Sequence, residues 1–136
     1  SGYAWAAWED LRGGLSDIYM SRTTTAGASW SAADIRVDKD AAGTGGSFFP
    51  SIDAQGVFVA VAWQDLRNGS FDVYTNYSLD SGVSVQPADF RVDAAAGAWD
   101  AVDPMVVIEA MRAHVVWVDF RNGTHMYGDI YTRTLR

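Results

Sequence analysis

The sequence has no cysteine, which excludes disulfide staples, thiol chemistry and cysteine-ligated zinc or iron–sulfur centres. Histidine is almost as scarce. His114 and His125 are the only two, too few for a multi-histidine metal site within one chain. No apolar run approaches the roughly 20 residues of a membrane-spanning helix, so no membrane span is expected. No basic segment leads into an apolar one at the start, so no signal peptide is read in this numbering. Cationic residues are few: 10 Lys and Arg stand against 17 Asp and Glu, for a net charge of −7. Such a surface repels phosphate backbones and argues against nucleic acid as a partner. A sustained helical period is missing as well.

What remains is a chain of 136 residues, 49% hydrophobic and 20% charged, a balance that suits one folded domain with a moderate core. Its main feature is a repeat. Trp8-Glu9-Asp10-Leu11-Arg12-Gly13-Gly14 recurs as Trp63-Gln64-Asp65-Leu66-Arg67-Asn68-Gly69 and as Trp117-Val118-Asp119-Phe120-Arg121-Asn122-Gly123. Each copy leads to an aspartate, a β-branched residue and a tyrosine: Asp17-Ile18-Tyr19, Asp72-Val73-Tyr74 and Asp129-Ile130-Tyr131. Two further blocks keep the register. Asp34-Ile35-Arg36-Val37-Asp38 matches Asp89-Phe90-Arg91-Val92-Asp93, and Phe49-Pro50-Ser51-Ile52 matches Asp103-Pro104-Met105-Val106.

Within a unit the pattern is that of strands. Val57–Trp63 is a nearly continuous apolar run, as in a strand buried on both faces. Asn68-Gly69 and Asn122-Gly123 give a hairpin-turn signal, and Phe71–Tyr77 and Gln86–Val92 read as the next two strands. Short strands at Pro50–Asp53 and Pro104–Val107 precede the apolar runs. We label these strands A (after the proline), B (ending at Trp), C (around Tyr) and D (the Arg-Val block). The expected fold is all-β, with β-propeller blades of four antiparallel strands and about two and a half blades per chain. The units run approximately over 1–46, 47–101 and 102–136, as B-C-D, A-B-C-D and A-B-C.

Ser78-Leu79-Asp80-Ser81-Gly82-Val83-Ser84-Val85, between strands C and D, resembles the Asp-box of sialidase-type propellers, with Val85 in place of the usual aromatic. Thr23–Trp30 keeps the Gly and Trp of that motif but carries Thr25 where Asp belongs. With the Trp-x-Asp-x-Arg block, the whole chain resembles the bacterial BNR/Asp-box repeat proteins, relatives of the sialidase superfamily. The resemblance implies a propeller. It says little about activity, because the Asp-box stabilises a turn in enzymes and non-enzymes alike.

The pairs Asp10/Arg12, Asp65/Arg67 and Asp119/Arg121 sit two apart at strand ends, on one face. Their presence in every repeat reads as a structural clamp rather than an anion site. Trp8, Trp63 and Trp117 read as packing between blades. By analogy with sialidases, hydrolysis needs three arginines, a Tyr–Glu pair and an aspartic acid/base, and Glu9 and Glu109 are the only glutamates. No catalytic residues, metal or cofactor are therefore assigned. Asp38, Asp40, Asp100 and Asp103 read as solvated carboxylates of D–A loops, without an EF-hand spacing. Asn68, Asn76 and Asn122 satisfy the glycosylation sequon.

The breaks in the repeat are more selective. The third B–C hairpin is three residues longer, around Thr124–Gly128, and one D–A loop displays Trp99. Strand parity puts the B–C and D–A loops on the face that sialidase relatives use for ligands, which makes Trp99, Asp100, His125 and Tyr127 the candidates for ligand or interface contact. The expectation is a non-catalytic, extracellular structural or interaction protein, secreted or at the cell surface. Its partner would be itself, as a homo-oligomer or filament that completes the blades, and glycans are a further possible partner. The alternative is a carbohydrate-binding or sialidase-like glycoside hydrolase module, or a fragment of one, with a site formed between subunits.

Overall fold

A computed structural model describes residues 2–123 and 127–135. Among the described residues there are ten strands: β1 (Ala4–Asp10), β2 (Asp17–Thr23), β3 (Ile35–Arg36), β4 (Ser47–Gln55), β5 (Phe58–Asp65), β6 (Asp72–Ser78), β7 (Phe90–Arg91), β8 (Ala101–Glu109), β9 (Arg112–Asp119) and β10 (Asp129–Leu135). They form three antiparallel sheets, β1-β2-β3, β4-β5-β6-β7 and β8-β9-β10. Among the described residues the first sheet holds strands B, C and D, the middle one A to D, and the third A, B and C. The fold is all-β, a partial propeller of about two and a half blades.

Side-chain alternation along β5 joins the sheets. Val61 and Trp63 pack on Ile18, Met20 and Val37 of the first unit. Phe58, Ala60 and Ala62 face the other way, with Val73 and Val92, onto Ala101, Val106, Val115 and Trp117 of the third. All eight residues of β5 are buried. This is why Val57–Trp63 reads as a continuous apolar run rather than an alternating one. β4 lies beside both β1 and β8 and is the inner strand of the middle unit.

Strands A and D differ from the sequence expectation. Strand A has nine residues in both units and starts three residues before the proline. A bulge lets it continue: the register shifts between Phe48 and Ser51 and between Val102 and Met105. Phe49 and Asp103 there take left-handed φ values of 54° and 52°. Strand D shrinks to two residues. Side chains replace the ladder, since the Ile18 N–H donates to Asp38 Oδ1 (2.8 Å) and the Val73 N–H to Asp93 Oδ1 (3.0 Å).

The turn at Ser78–Val85 is tied by side-chain oxygens. Asp80 Oδ1 accepts the N–H groups of Val83 and Ser84, both at 2.9 Å, and Asp80 Oδ2 accepts the Ser84 hydroxyl at 2.6 Å. Ser78 Oγ accepts the Gly82 N–H at 2.8 Å. The first unit repeats this with hydroxyls alone: Thr25 Oγ1 accepts the Ser29 N–H (2.9 Å) and Thr23 Oγ1 the Gly27 N–H (3.1 Å).

Candidate functional site

Each B strand ends in a four-residue cluster. In the middle unit the Trp63 indole N–H donates to Asp65 Oδ2 (2.9 Å), and Arg67 reaches both Asp65 oxygens through Nε (2.8 Å) and a terminal nitrogen (2.6 Å). The guanidinium lies 4.1 Å from the centre of the Tyr74 ring, and that ring stacks on Trp63. The third unit repeats the arrangement with Trp117, Asp119, Arg121 and Tyr131. The first repeats its hydrogen bonds and cation–π contact with Trp8, Asp10, Arg12 and Tyr19. Burial works to raise the pKa of Asp65 and Asp119, and the bonds from Arg and Trp overcome it and hold both below the ordinary carboxylate range. Asp10, bonded chiefly to Arg12, is lowered too. With both oxygens of each carboxylate engaged inside its own unit, these pairs hold the hairpins together.

A second set of carboxylates fastens the D–A loops. Asp17 accepts the Gly43 N–H at 2.9 Å and Asp72 the Gly97 N–H at 3.0 Å. Both glycines have positive φ, and a Cβ on either would meet a backbone oxygen of the facing B–C loop, Gly13 O at 2.0 Å or Asn68 O at 2.2 Å. Asp38 lies in the D–A loop but is buried, which corrects its reading as a solvated carboxylate. Asp17, Asp38 and Asp40 bring oxygens within 4.8 Å of one another. The Arg36 guanidinium already lies among them, at 2.9 Å from Asp38 and 2.7 Å from Asp40. Burial pushes Asp38 up to about 7 and raises Asp40. An arginine at the centre of the cluster does the work a cation would do there.

The end of the inner strands offers different chemistry. Glu9 Oε1 accepts the N–H of Phe49 at 2.8 Å, so the end of β1 grips the bulge of β4. One unit on, Gln64 Oε1 accepts the N–H of Asp103 at 3.0 Å and grips the bulge of β8. Glu9, Phe49 and Asp103 are all exposed, Phe49 at 61%. Two carboxylates and an aromatic face therefore stand on neighbouring strand ends, where the B–C and D–A loops gather. Glu109 is at the other end of β8, beside the turn to β9.

The residues singled out from the sequence fall around this rim without forming one cluster. Asp100 Oδ1 accepts the Phe71 N–H at 3.1 Å, and its carbonyl accepts the Phe120 N–H at 3.0 Å, so it braces two loops. Trp99 is half-buried, and its indole nitrogen has no hydrogen-bond partner among the described residues. Tyr127 is 75% exposed. His125 lies outside the described residues. Of the sequons, Asn76 is fully buried, and its amide donates to Val37 O, Gln86 O and Asp89. Sequence reasoning passed over Phe49, whose block served only to set the register, and read Asp103 as a solvated D–A loop carboxylate, although it stands within β8. The signal was there: Phe aligns with Asp directly before an invariant proline.

No protein-family model matches the chain, and none of the curated proteins matches it. Two solved structures do resemble it. One is the α-L-arabinofuranosidase from Fusarium graminearum, solved as a mutant with an iminosugar inhibitor (11% identity, TM-score 0.66, covering 97% of this chain and 41% of that one). The other is the α-L-arabinanase of Penicillium chrysogenum with arabinobiose (16% identity, TM-score 0.62, covering 96% and 40%). At these identities the likeness shows the propeller fold, and the chain spans about two-fifths of each neighbour. It overturns the expectation of a non-catalytic protein, which rested on missing sialidase residues: the propellers that this fold resembles are glycoside hydrolases with other substrates.

Proposed function

We propose that the chain is part of an extracellular propeller glycoside hydrolase acting on arabinose-containing glycans, with its site at the inner-strand ends. The observation that carries this reading is the exposed Phe49 with Glu9 and Asp103 on the strand ends either side of it. Glycoside cleavage needs two carboxyl groups flanking the scissile bond. One protonates the leaving oxygen, and the other attacks the sugar or activates a water, according to their separation. An aromatic face next to them suits the apolar side of a sugar ring. In this reading Glu9 and Asp103 supply carboxyl groups to the site, and Phe49 orients the sugar. Further blades close the propeller.

Hydrolysis of arabinan and of aryl α-L-arabinofuranosides by the protein, assembled with those blades, tests the proposal. Glu9→Gln and Asp103→Asn should each lower kcat by at least about a hundredfold. Turnover that survives both substitutions unchanged, or no turnover of either substrate, would sink it.

A further inference from the structure

Three of the six phenylalanines, Phe48, Phe49 and Phe71, stand at the rim of the middle unit. Phe49 belongs to the candidate site, and the other two form a pair on its β8 side. Phe48 is the register partner of Gln64, so both side chains lie on one face of the sheet. That face is turned to the third unit, since Gln64 Oε1 accepts the Asp103 N–H at 3.0 Å. The Phe48 ring meets the Phe71 ring edge to face, with centroids 6.0 Å apart and planes at 84°. Asp103 and the aromatic pair thus share the β8 side of β4, while Glu9 holds the β1 side.

The repeat does not require aromatic rings at these two places. The counterpart of Phe71, one residue before the C-strand aspartate, is Ser16 in the first unit. The counterpart of Phe48 in the third unit is Val102, next to the same bulge. Both phenylalanines stay only half-buried, although burial is what a ring of this size contributes to a fold. Both are also held in place. The Phe71 N–H donates to Asp100 Oδ1 at 3.1 Å, and its carbonyl accepts the Ala101 N–H at 2.7 Å. Ala101 begins β8, the strand of Asp103. The Phe48 ring lies over Gly46, where a Cβ would stand 2.9 Å from Cε2. A half-open ring pair fixed in this way is a preformed apolar face.

We propose that Phe48 and Phe71 bind a second sugar ring of an arabinose chain, adjoining the one that Phe49 orients. The proposal rests on the reading of the rim as a glycosidase site and extends it. The ligand is a chain of at least two arabinose residues, laid from Phe49 to the aromatic pair on the Asp103 side. The apolar side of the second sugar lies on the rings, and its hydroxyls stay in water.

The test measures binding rather than turnover, by calorimetric titration of arabinose and arabinotriose into the protein assembled with its further blades. Arabinotriose should bind at least about tenfold more tightly than arabinose. Phe71→Leu keeps the apolar bulk and loses the aromatic face. It should weaken arabinotriose at least about fivefold while the melting temperature stays close to wild type. Phe71→Tyr keeps the ring and should bind as the wild type does. The proposal is overturned by equal affinity of Phe71→Leu and wild type for arabinotriose, or by no binding of arabinotriose at millimolar concentration. Equal affinity of the wild type for the two sugars overturns it too. Ring-dependent binding without turnover would uphold the second position and remove the hydrolase reading. Turnover of an aryl α-L-arabinofuranoside with binding indifferent to Phe71 would do the reverse.

Discussion

Glu9 and Phe49 are joined by a 2.8 Å hydrogen bond from the Phe49 N–H to the carboxylate, at a backbone position where Phe49 has φ of 54°. Gln64 makes the same bond to Asp103 at φ of 52°, so the bond belongs to the fold and the carboxylate charge does not. Glu9→Gln therefore keeps the bulge and should unfold in urea within about 0.5 kcal/mol of wild type. Glu9→Ala loses the acceptor and should cost about 1 kcal/mol. Equal stability of the two variants would show that the bond is idle.

The Trp–Asp–Arg–Tyr clusters are predicted to differ in worth with their burial. Asp65 is fully buried, so Asp65→Ala leaves the Trp63 indole without its acceptor and Arg67 with Asp89 alone, and should cost about 3 kcal/mol. Asp10→Ala, in a cluster whose Arg12 is half exposed, should cost clearly less. Urea midpoints of the two variants check this order, and a reversed order would refute it.

In the C–D turns, Thr25 does with one oxygen what Asp80 does with two. Thr25→Asp should stabilise the chain by about 0.5–1 kcal/mol, and Asp80→Ala should destabilise it by about 1–2 kcal/mol. The bonds from Ser78 and Ser84 hold Asp80 well below the ordinary carboxylate range, so the turn should stay intact in mild acid. Calorimetry at two pH values reads both effects.

The turn between β8 and β9 places Ala110 and Met111 at φ of 49° and 60°, both in the left-handed region that favours Asn and Gly. The double change Ala110→Asn and Met111→Gly should raise stability by about 1–2 kcal/mol. A lower melting temperature for that variant would mean that the Met111 side chain contributes more than the strain costs.

Asp38 carries a signed pH dependence. Its pKa rises from 3.8 to about 7 on folding, chiefly through burial. Across that interval the native state holds a proton that the unfolded chain releases, so this group lowers stability as pH rises from about 4 to about 7. The lowered pKa values of Asp65 and Asp119 act the other way, giving stability that is lost on acidification below the ordinary carboxylate range. Asp38→Asn should flatten the upper slope in urea titrations. An unchanged slope would assign it to another group.

Repeat register made the fold legible: the matched positions of Trp8, Trp63 and Trp117 already state which strands each unit holds. It was less informative about strand ends. Nothing local in Ser47–Phe49 signals that strand A begins before its proline, because the bulge depends on a side chain from another unit, Glu9. Strand D reads as long from its β-branched residues, yet Asp38 and Asp93 take over backbone donors that a ladder would use. The candidate site was hidden for a related reason. Glu9 sits inside a structural motif, and Asp103 reads as one of several solvated loop carboxylates. Their place on one rim depends on β4 lying between β1 and β8.

The most direct measurement is the turnover of an aryl α-L-arabinofuranoside by the protein assembled into a closed propeller, compared with its Glu9→Gln and Asp103→Asn variants at matched stability. A glycoside-hydrolase site at the inner-strand rim predicts turnover in the wild type and a loss of at least about a hundredfold in kcat in each variant. Wild-type rates in both variants, or no turnover by any form, would contradict it.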